Sequence, residues 1–289
     1  MNLIDAFLEV QRSLKSPHTL VAYRLDLIAW ETFLNSTPLA SATSRHVIEY
    51  RHQLADNGKK PATINRALAS LKSFYAWTTD NGYTSSNITA SVKMKRATVD
   101  NTTLKWLTPQ QTETLILTLD ARQRPADIRD KAILYCMLYA GLRVSEVCAL
   151  QVDDVTLKRG ESSILVRFGK GDKSRTVPAN DKLTLALRVW LAERNLYKLS
   201  ANSTNLFVSE RLGHLTRSGI DAMASERYRA AGIDGHSSHS LRHTFAKRLA
   251  ERGVRLEEIA KLCGHTSIQT TMIYVTPSAT ELRRAVQML

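Results

Sequence analysis

Between residues 84 and 106 the chain loses its apolar period. The stretch is rich in Ser, Thr and Asn and carries Lys93, Lys95 and Arg96. Patterned sequence lies on both sides, so the chain divides into two folding units. N-terminal to the break, four amphipathic helices are expected. Leu3, Phe7, Leu8 and the run from Val10 to Leu14 mark the first, and Leu20, Tyr23, Leu27, Trp30 and Leu34 recur at helical spacing in the second. The third and fourth run over 44–57 and 62–79, ended by Gly58 and by Asn81-Gly82. C-terminal to the break, Thr108-Pro109-Gln110-Gln111 supplies an N-cap, a proline at the first helical position and a glutamine at the third. The expected organisation is a helical unit over 1–83, a linker over 84–106 and a second unit over 107–289. Lys93, Lys95 and Arg96 suit a linker lying on a phosphate backbone, although a solvated linker has the same composition.

The second unit reads as helices at about 109–119, 127–140, 181–194, 216–231, 239–252, 255–262, 267–275 and 279–288. Val152–Leu157, Ile164–Phe168 and Arg175–Pro178 are short β runs. Gly169-Lys170-Gly171-Asp172-Lys173, between the last two, is a turn by composition. The expected fold class is mainly α with a small antiparallel sheet in the C-terminal unit. Leu282, Ala285, Val286 and Leu289 give the closing helix one apolar stripe, and a helix this short needs a surface to dock on.

Charge narrows the function classes. The 289 residues carry 40 Lys and Arg against 27 Asp and Glu, a net charge of +13. Both units share the excess: 12 basic and 8 acidic side chains fall in 1–100, 28 and 19 in 101–289. Basic charge spread in this way is not a detachable tail and points to a polyanion, most naturally a nucleic acid. Cys136, Cys148 and Cys263 are odd in number and lack metal-site spacing, and no second Cys/His pair completes Cys263 and His265. A reducing cytosol and no metal are therefore expected. Asp5 and Glu9 interrupt any leader-like start, and no apolar run reaches membrane length.

Some residues stand out from the packing pattern. Arg143 follows Gly141 at a helix–loop corner, and Glu146 lies three residues on. His239 and Arg242 share a face at a helix start, and His265 and Tyr274 come later. A phosphodiester is anionic, and its transition state carries extra charge on the non-bridging oxygens. Guanidinium forks donate bidentately and keep their protons, and one such preorganised donor contributes roughly 10²–10³ in rate. Tyr274 is a phenol, with an ordinary pKa of about 10, so it needs a base or nearby cations to attack. His239 is the candidate base. Lys170, between two glycines, is a candidate proton donor to the leaving oxygen. Taken singly, each of these residues also reads as ordinary surface or turn chemistry; their joint order carries the weight.

Together they resemble the tyrosine site-specific recombinases, and within them the Xer-like group. Tyr139-Ala-Gly-Leu-Arg143-Val-Ser-Glu146 is similar to that family's first arginine box, and His239-Ser-Leu-Arg242-His-Thr-Phe-Ala to its His-x-x-Arg box. Leu262-Cys-Gly-His265-Thr-Ser-Ile-Gln-Thr-Thr-Met-Ile-Tyr274 is similar to its nucleophile box, and Thr19-Leu-Val-Ala-Tyr23-Arg-Leu-Asp to part of its core-binding domain. The resemblance implies Arg143 and Arg242 as phosphate clamps, Lys170 as general acid and His239 as base. It implies His265 as a transition-state hydrogen-bond donor, Tyr274 as nucleophile and Glu146 as a supporting residue. The implied activity is exchange of DNA strands through a 3′-phosphotyrosyl bond, with no metal, ATP or other cofactor. The implied partner is double-stranded DNA with an inverted-repeat core site. The protein would be a monomer in solution and a tetramer on two such sites, in the bacterial cytosol at the nucleoid. The closing helix over 279–288 would then dock on a neighbouring protomer. Two rivals are a type IB topoisomerase, which the boxes and the N-terminal unit disfavour, and a non-catalytic DNA-binding regulator, which the six intact site positions disfavour. Val275-Thr276 and Asn87-Ile88 stand where Xer proteins commonly carry Thr-His and Asn-Pro, so a mobile-element role fits as well as chromosome dimer resolution.

Overall fold

The computed structural model describes residues 2–92, 94, 105–121, 124–158, 160–167, 174–201, 203–209, 213–265, 267–274, 283 and 286–288. Lys93, Lys95, Arg96, Lys170 and most of 279–288 lie outside the described residues. The chain forms two compact units, Met1–Val99 and Asp100–Leu289.

The first unit contains α1 (Leu3–Gln11), α2 (Pro17–Leu34), α3 (Ser44–Asp56) and α4 (Pro61–Asp80). Side-chain oxygens of Asn2, Ser16 and Thr43 cap the first three, and prolines open α2 and α4, where a missing N–H costs nothing. The core is aromatic: Phe7, Trp30, Phe74 and Tyr75 are fully buried. The Trp30 indole donates to the Tyr75 hydroxyl at 2.9 Å, which donates in turn to the Leu39 carbonyl at 3.0 Å, so neither polar tip is stranded. Asp26 accepts from Arg66 and from the Ser70 hydroxyl, both at 2.7 Å. Part of the expected linker belongs to this unit. Val92 is buried in its core, Thr84 bonds Thr78 and Thr79, and the Ser44 hydroxyl donates to the Ile88 carbonyl at 2.7 Å. Hydroxyl hydrogen bonds and the burial of Val92 hold this segment down, so the loss of apolar period did not mark where packing stops.

The second unit is built around α6 (Pro125–Tyr139), whose residues 132–138 are all buried. A helix apolar on every side must be central, and it packs on α8 (Asp181–Arg194) and on α10 (Ser238–Glu251). Around these lie α5 (Pro109–Asp120), α7 (Val144–Ala149), α9 (Arg217–Ala230), α11 (Leu256–Cys263) and α12 (Gln269–Met272). Thr108 and Gln111 form the capping box of α5 that their spacing predicted. The sheet is antiparallel, β1 (Val155–Thr156), β2 (Ser163–Val166) and β3 (Arg175–Pro178), in that order, with Val155 and Val177 both paired to Ile164. The fold is thus mainly helical with a small antiparallel sheet.

Three elements depart from the sequence reading. The expected strand over 152–157 begins as a 3₁₀ turn, Val152–Asp154, because the buried Asp154 carboxylate accepts from the Gln151 N–H at 2.8 Å and from Arg167. The helix α7 was not expected: six residues are too few to show a period. The helix expected over 267–275 is confined to the four residues of α12.

Gly141 ends α6 with φ 63°, a left-handed conformation, and the next N–H, of Leu142, bonds back to the Cys136 carbonyl at 3.3 Å. A Cβ at Gly141 would stand 2.4 Å from the Phe245 ring. Gly141→Ala should therefore destabilise the second unit by roughly 2–5 kcal/mol in urea titration, combining left-handed strain with overpacking. Gly253, with φ 77° and no atom within 4 Å of an added Cβ, is the control: Gly253→Ala carries the strain alone.

Candidate active site

The site starts from a buried carboxylate. Glu146 lies in the first turn of α7 and is 5% exposed. Its Oε2 accepts from the Arg143 backbone N–H at 2.8 Å and its Oε1 from the Arg143 guanidinium at 2.7 Å. Arg175, the first residue of β3, donates to both oxygens, at 2.9 and 2.8 Å. Burial pushes the Glu146 carboxyl up, but the hydrogen bonds and charge of Arg175, followed by those of Arg143, leave it below its ordinary value. Arg242, in the second turn of α10, approaches the same carboxylate at 3.9 Å. One carboxylate among three guanidiniums leaves positive charge in excess.

The C-terminus of α11 holds the same three arginines. Arg175 Nε donates to the Leu262 carbonyl at 2.9 Å, Arg242 donates to that of Cys263, and Arg143 donates to that of Gly264 at 2.9 Å. These successive carbonyls belong to a helix end, where oxygens lack helical partners and the macrodipole is negative. Arg242 also donates to the Gly141 carbonyl. Gly264 has φ 61°, and a Cβ there would meet the Arg175 guanidinium at 2.9 Å. The side chains of Arg242 and Arg175 are 5% and 11% exposed, that of Arg143 25%, so Arg143 is the most open to a ligand.

Tyr274 lies next to this cluster. It is 2% exposed and packs with Phe245, Ala246, Ile259 and Cys263 between α10 and α11. Burial pushes its phenol up to about 12; Cys263 adds to the rise, while Arg242 and Arg143 oppose it. Its hydroxyl meets Nδ1 of His243 at 2.6 Å. The rings of His265 and Tyr274 stack with centroids 6.5 Å apart, and His265 Nδ1 bonds the buried Thr271 hydroxyl at 2.8 Å. Burial, then Arg242 and Arg143, lower His265 to about 4. His239 is lowered by burial and then by Arg242.

Arg143, Glu146, Arg242, His239, His265 and Tyr274 thus come together in one unit, while Lys170 lies outside the described residues. The contact to the phenol expected of His239 is made instead by His243, one turn further along α10. Tyr274 packs into the small core lined by the second and third turns of that helix, and its hydroxyl meets the second-turn imidazole. Two residues escaped the sequence reading. Arg175 read as part of a β run, and His243 as a neighbour of Arg242. The only available signal for His243 was its spacing of four from His239, which repeats the face. Among the described residues, no group of three or more His, Cys, Asp or Glu is placed to hold a metal ion, and no helix is long and apolar enough to cross a membrane.

Residues 105–281 match the phage integrase family, and residues 4–82 match the phage integrase N-terminal SAM-like domain. The chain belongs to the phage integrase family. It is a Xer-like tyrosine recombinase. Among its relatives is the tyrosine recombinase XerC of Thermodesulfovibrio yellowstonii, 34% identical over 269 residues that cover 90% of this chain and 85% of the relative. Another is the XerC of Roseiflexus castenholzii, 32% identical over 280 residues covering 94% and 87%. The fold matches that of the XerH site-specific recombinase in its post-cleavage complex with a palindromic difH substrate, with a TM-score of 0.77, 22% identity and coverage of 92% and 78%. It also matches the Tn1549 transposon integrase bound to transposon right end DNA, with a TM-score of 0.78, 20% identity and coverage of 99% of each chain.

In this recombinase Arg175 has each guanidinium nitrogen occupied by Glu146 or Leu262. A lysine cannot reproduce that planar three-way contact. Arg175→Lys should cost roughly 3–5 kcal/mol in denaturant unfolding of the second unit, as expected when a buried carboxylate loses a partner. A change confined to the range of a surface ion pair would show that Arg143 alone is sufficient to hold Glu146.

Proposed function

We propose that this recombinase cuts one DNA strand with Tyr274, holds the broken end as a 3′-phosphotyrosyl bond and passes it to the 5′-hydroxyl of a second duplex. The observation that carries this reading is a buried phenol beside three arginines fastened to one helix end. As Tyr274 Oη bonds to phosphorus, the bond from phosphorus to the 5′-oxygen breaks. Charge builds on the non-bridging oxygens, where Arg143 and Arg242 would act, with His239 and His265 as further hydrogen-bonding groups. Those groups are preorganised before DNA arrives, which is what makes such stabilisation effective. Lys170, in the stretch of sequence between β2 and β3, is the proposed proton donor to the leaving oxygen, and Lys93, Lys95 and Arg96 are proposed to follow the backbone. One phosphodiester replaces another of similar energy, so no ATP is needed. The substrate would be two double-stranded sites with inverted-repeat cores, bound by four copies of a chain that is monomeric when free, in the bacterial cytosol.

Coupling between copies is proposed to run through the closing segment. Val286 and Met288 are 70% and 82% exposed on their own chain. The second unit carries a groove of about 1150 Å³ lined by Ile116, Leu117, Leu138, Phe245, Leu249 and Leu262. The charged lining is mixed, Glu113 and Asp181 standing with Lys182, Arg248 and Arg252, so the apolar side chains carry the assignment. We assign residues 279–288 of a neighbouring copy to this groove.

A nicked suicide duplex, carrying the site selected from random-sequence DNA by the full chain, should accumulate a covalent adduct in the presence of EDTA. Tyr274→Phe should abolish the adduct. Arg143→Ala should slow its formation by about 10²–10³-fold while duplex affinity stays near wild type, because the charge matters most as the transition state forms. An adduct that persists in Tyr274→Phe would refute the assignment of the nucleophile.

Deleting 279–289 should leave binding to a single half-site unchanged and weaken cooperative binding to paired half-sites, as read by gel shift. Undiminished cooperativity would mean that the segment docks on its own chain.

A further inference from the structure

We propose that His243 takes the proton of Tyr274 as the phenol attacks phosphorus. This rests on the reading of Tyr274 as the nucleophile and adds the fate of its proton. Geometry comes first. Nδ1 of His243 lies 2.6 Å from the Tyr274 oxygen, within the reach a general base needs. His239 stands one turn earlier on α10, with its ring centroid 6.0 Å from that of His243. The two histidines then divide the work: His239 faces the arginine cluster, and His243 faces the nucleophile.

The surroundings suit a base that waits for DNA. Facing His243 are His239 and Arg242 on its own helix, His265 and Tyr274 from the segment after α11, and Lys247, whose Nζ is 3.5 Å from the Tyr274 carbonyl oxygen. Among the described residues, His239, Arg242, His265 and Lys247 in that shell are cationic or become so on protonation, and Cys263 packs beside Tyr274. Burial, then His239 and Arg242, lower His243 to about 4, so it is neutral at physiological pH and has a lone pair to offer. Tyr274, pushed up to about 12, keeps its proton in the free chain. A phosphate arriving on the arginines adds the missing negative charge, which favours an imidazolium beside it. The same anion supplies the electrophile, so the proton moves as the bond to phosphorus forms.

The step balances. The Tyr274 O–H bond breaks and its proton passes to Nδ1; an oxygen electron pair forms the bond to phosphorus. The electron pair of the broken phosphorus–oxygen bond leaves with the 5′-oxygen, which takes a proton from a separate donor. On rejoining, an incoming 5′-hydroxyl attacks, and the imidazolium returns its proton to the departing phenolate.

The test uses the full chain and the same nicked suicide duplex in single-turnover reactions. His243→Asn places an amide where Nδ1 stood, keeping a hydrogen-bond partner that cannot be protonated. Adduct formation should fall by about 10²–10⁴-fold, the usual contribution of a general base, with duplex affinity unchanged. In the wild type the rate should fall as pH is lowered and the imidazole becomes protonated; His243→Asn should lose that dependence. Added imidazole should restore adduct formation to His243→Ala but not to His239→Ala. Adduct formation by His243→Asn at the wild-type rate, or rescue of His239→Ala alone, would transfer the proton to His239 and overturn the proposal. Nitrogen-15 NMR of labelled histidines in the unaltered chain needs no variant: His243 should show an unprotonated, hydrogen-bonded Nδ1, and a proton on Nδ1 would overturn the assignment. An adduct surviving in Tyr274→Phe would instead remove the nucleophile reading on which this one stands.

Discussion

Glu146 sits where three guanidiniums meet. Burying a carboxylate costs several kcal/mol unless its lone pairs are satisfied, and here each oxygen accepts twice, from Arg143 and from Arg175. The arginines gain equally. Held close together without a counter-charge they would repel one another; with Glu146 among them and three carbonyls of the α11 C-terminus behind them, they keep fixed positions. The contact draws on α7, β3, α10 and α11, so most of the second unit must be folded before the cluster exists. What remains is a patch of excess positive charge whose geometry is set before any phosphate arrives.

The same helix end determines where Tyr274 goes. After Cys263 the chain turns through Gly264 in a left-handed conformation, and the Arg175 guanidinium occupies the space a Cβ would need. His265 and Tyr274 therefore leave from the anchor point of the arginine cluster. The arginine cluster and Tyr274 are coupled through backbone, and a shift of α11 would move both. Burial has an opposite consequence for each. It strengthens the arginines' interactions with an anion by excluding water, and it weakens the phenol as an acid.

Much of the fold was legible in the sequence. The four N-terminal helices, the α5 capping box, β3 and α8 follow from apolar spacing and end signals, because those signals act within a few residues. The misreadings share a cause. Residues 84–92 are held largely by hydroxyl hydrogen bonds that leave no apolar period, α7 is too short to show one, and at the 3₁₀ turn Val152–Asp154 Arg167 reaches Asp154 from thirteen residues away.

The site divides in the same way. Arg143, Glu146, His239, Arg242, His265 and Tyr274 are set apart in the sequence by order and spacing, since local chemistry demands those residue types near one another. Arg175 and His243 are not. Arg175 matters because β3 brings it against Glu146, 29 residues earlier, and against Leu262, 87 residues later. His243 matters because the packing of Tyr274 between α10 and α11 selects the second turn of α10 over the first. The sequence by itself determined the two units, their helical class, the basic charge and the boxes that carry Arg143, Arg242 and Tyr274. Which imidazole meets the phenol, and what holds the arginines, was decided only by tertiary packing, because those contacts join elements whose separation along the chain carries no periodic signal.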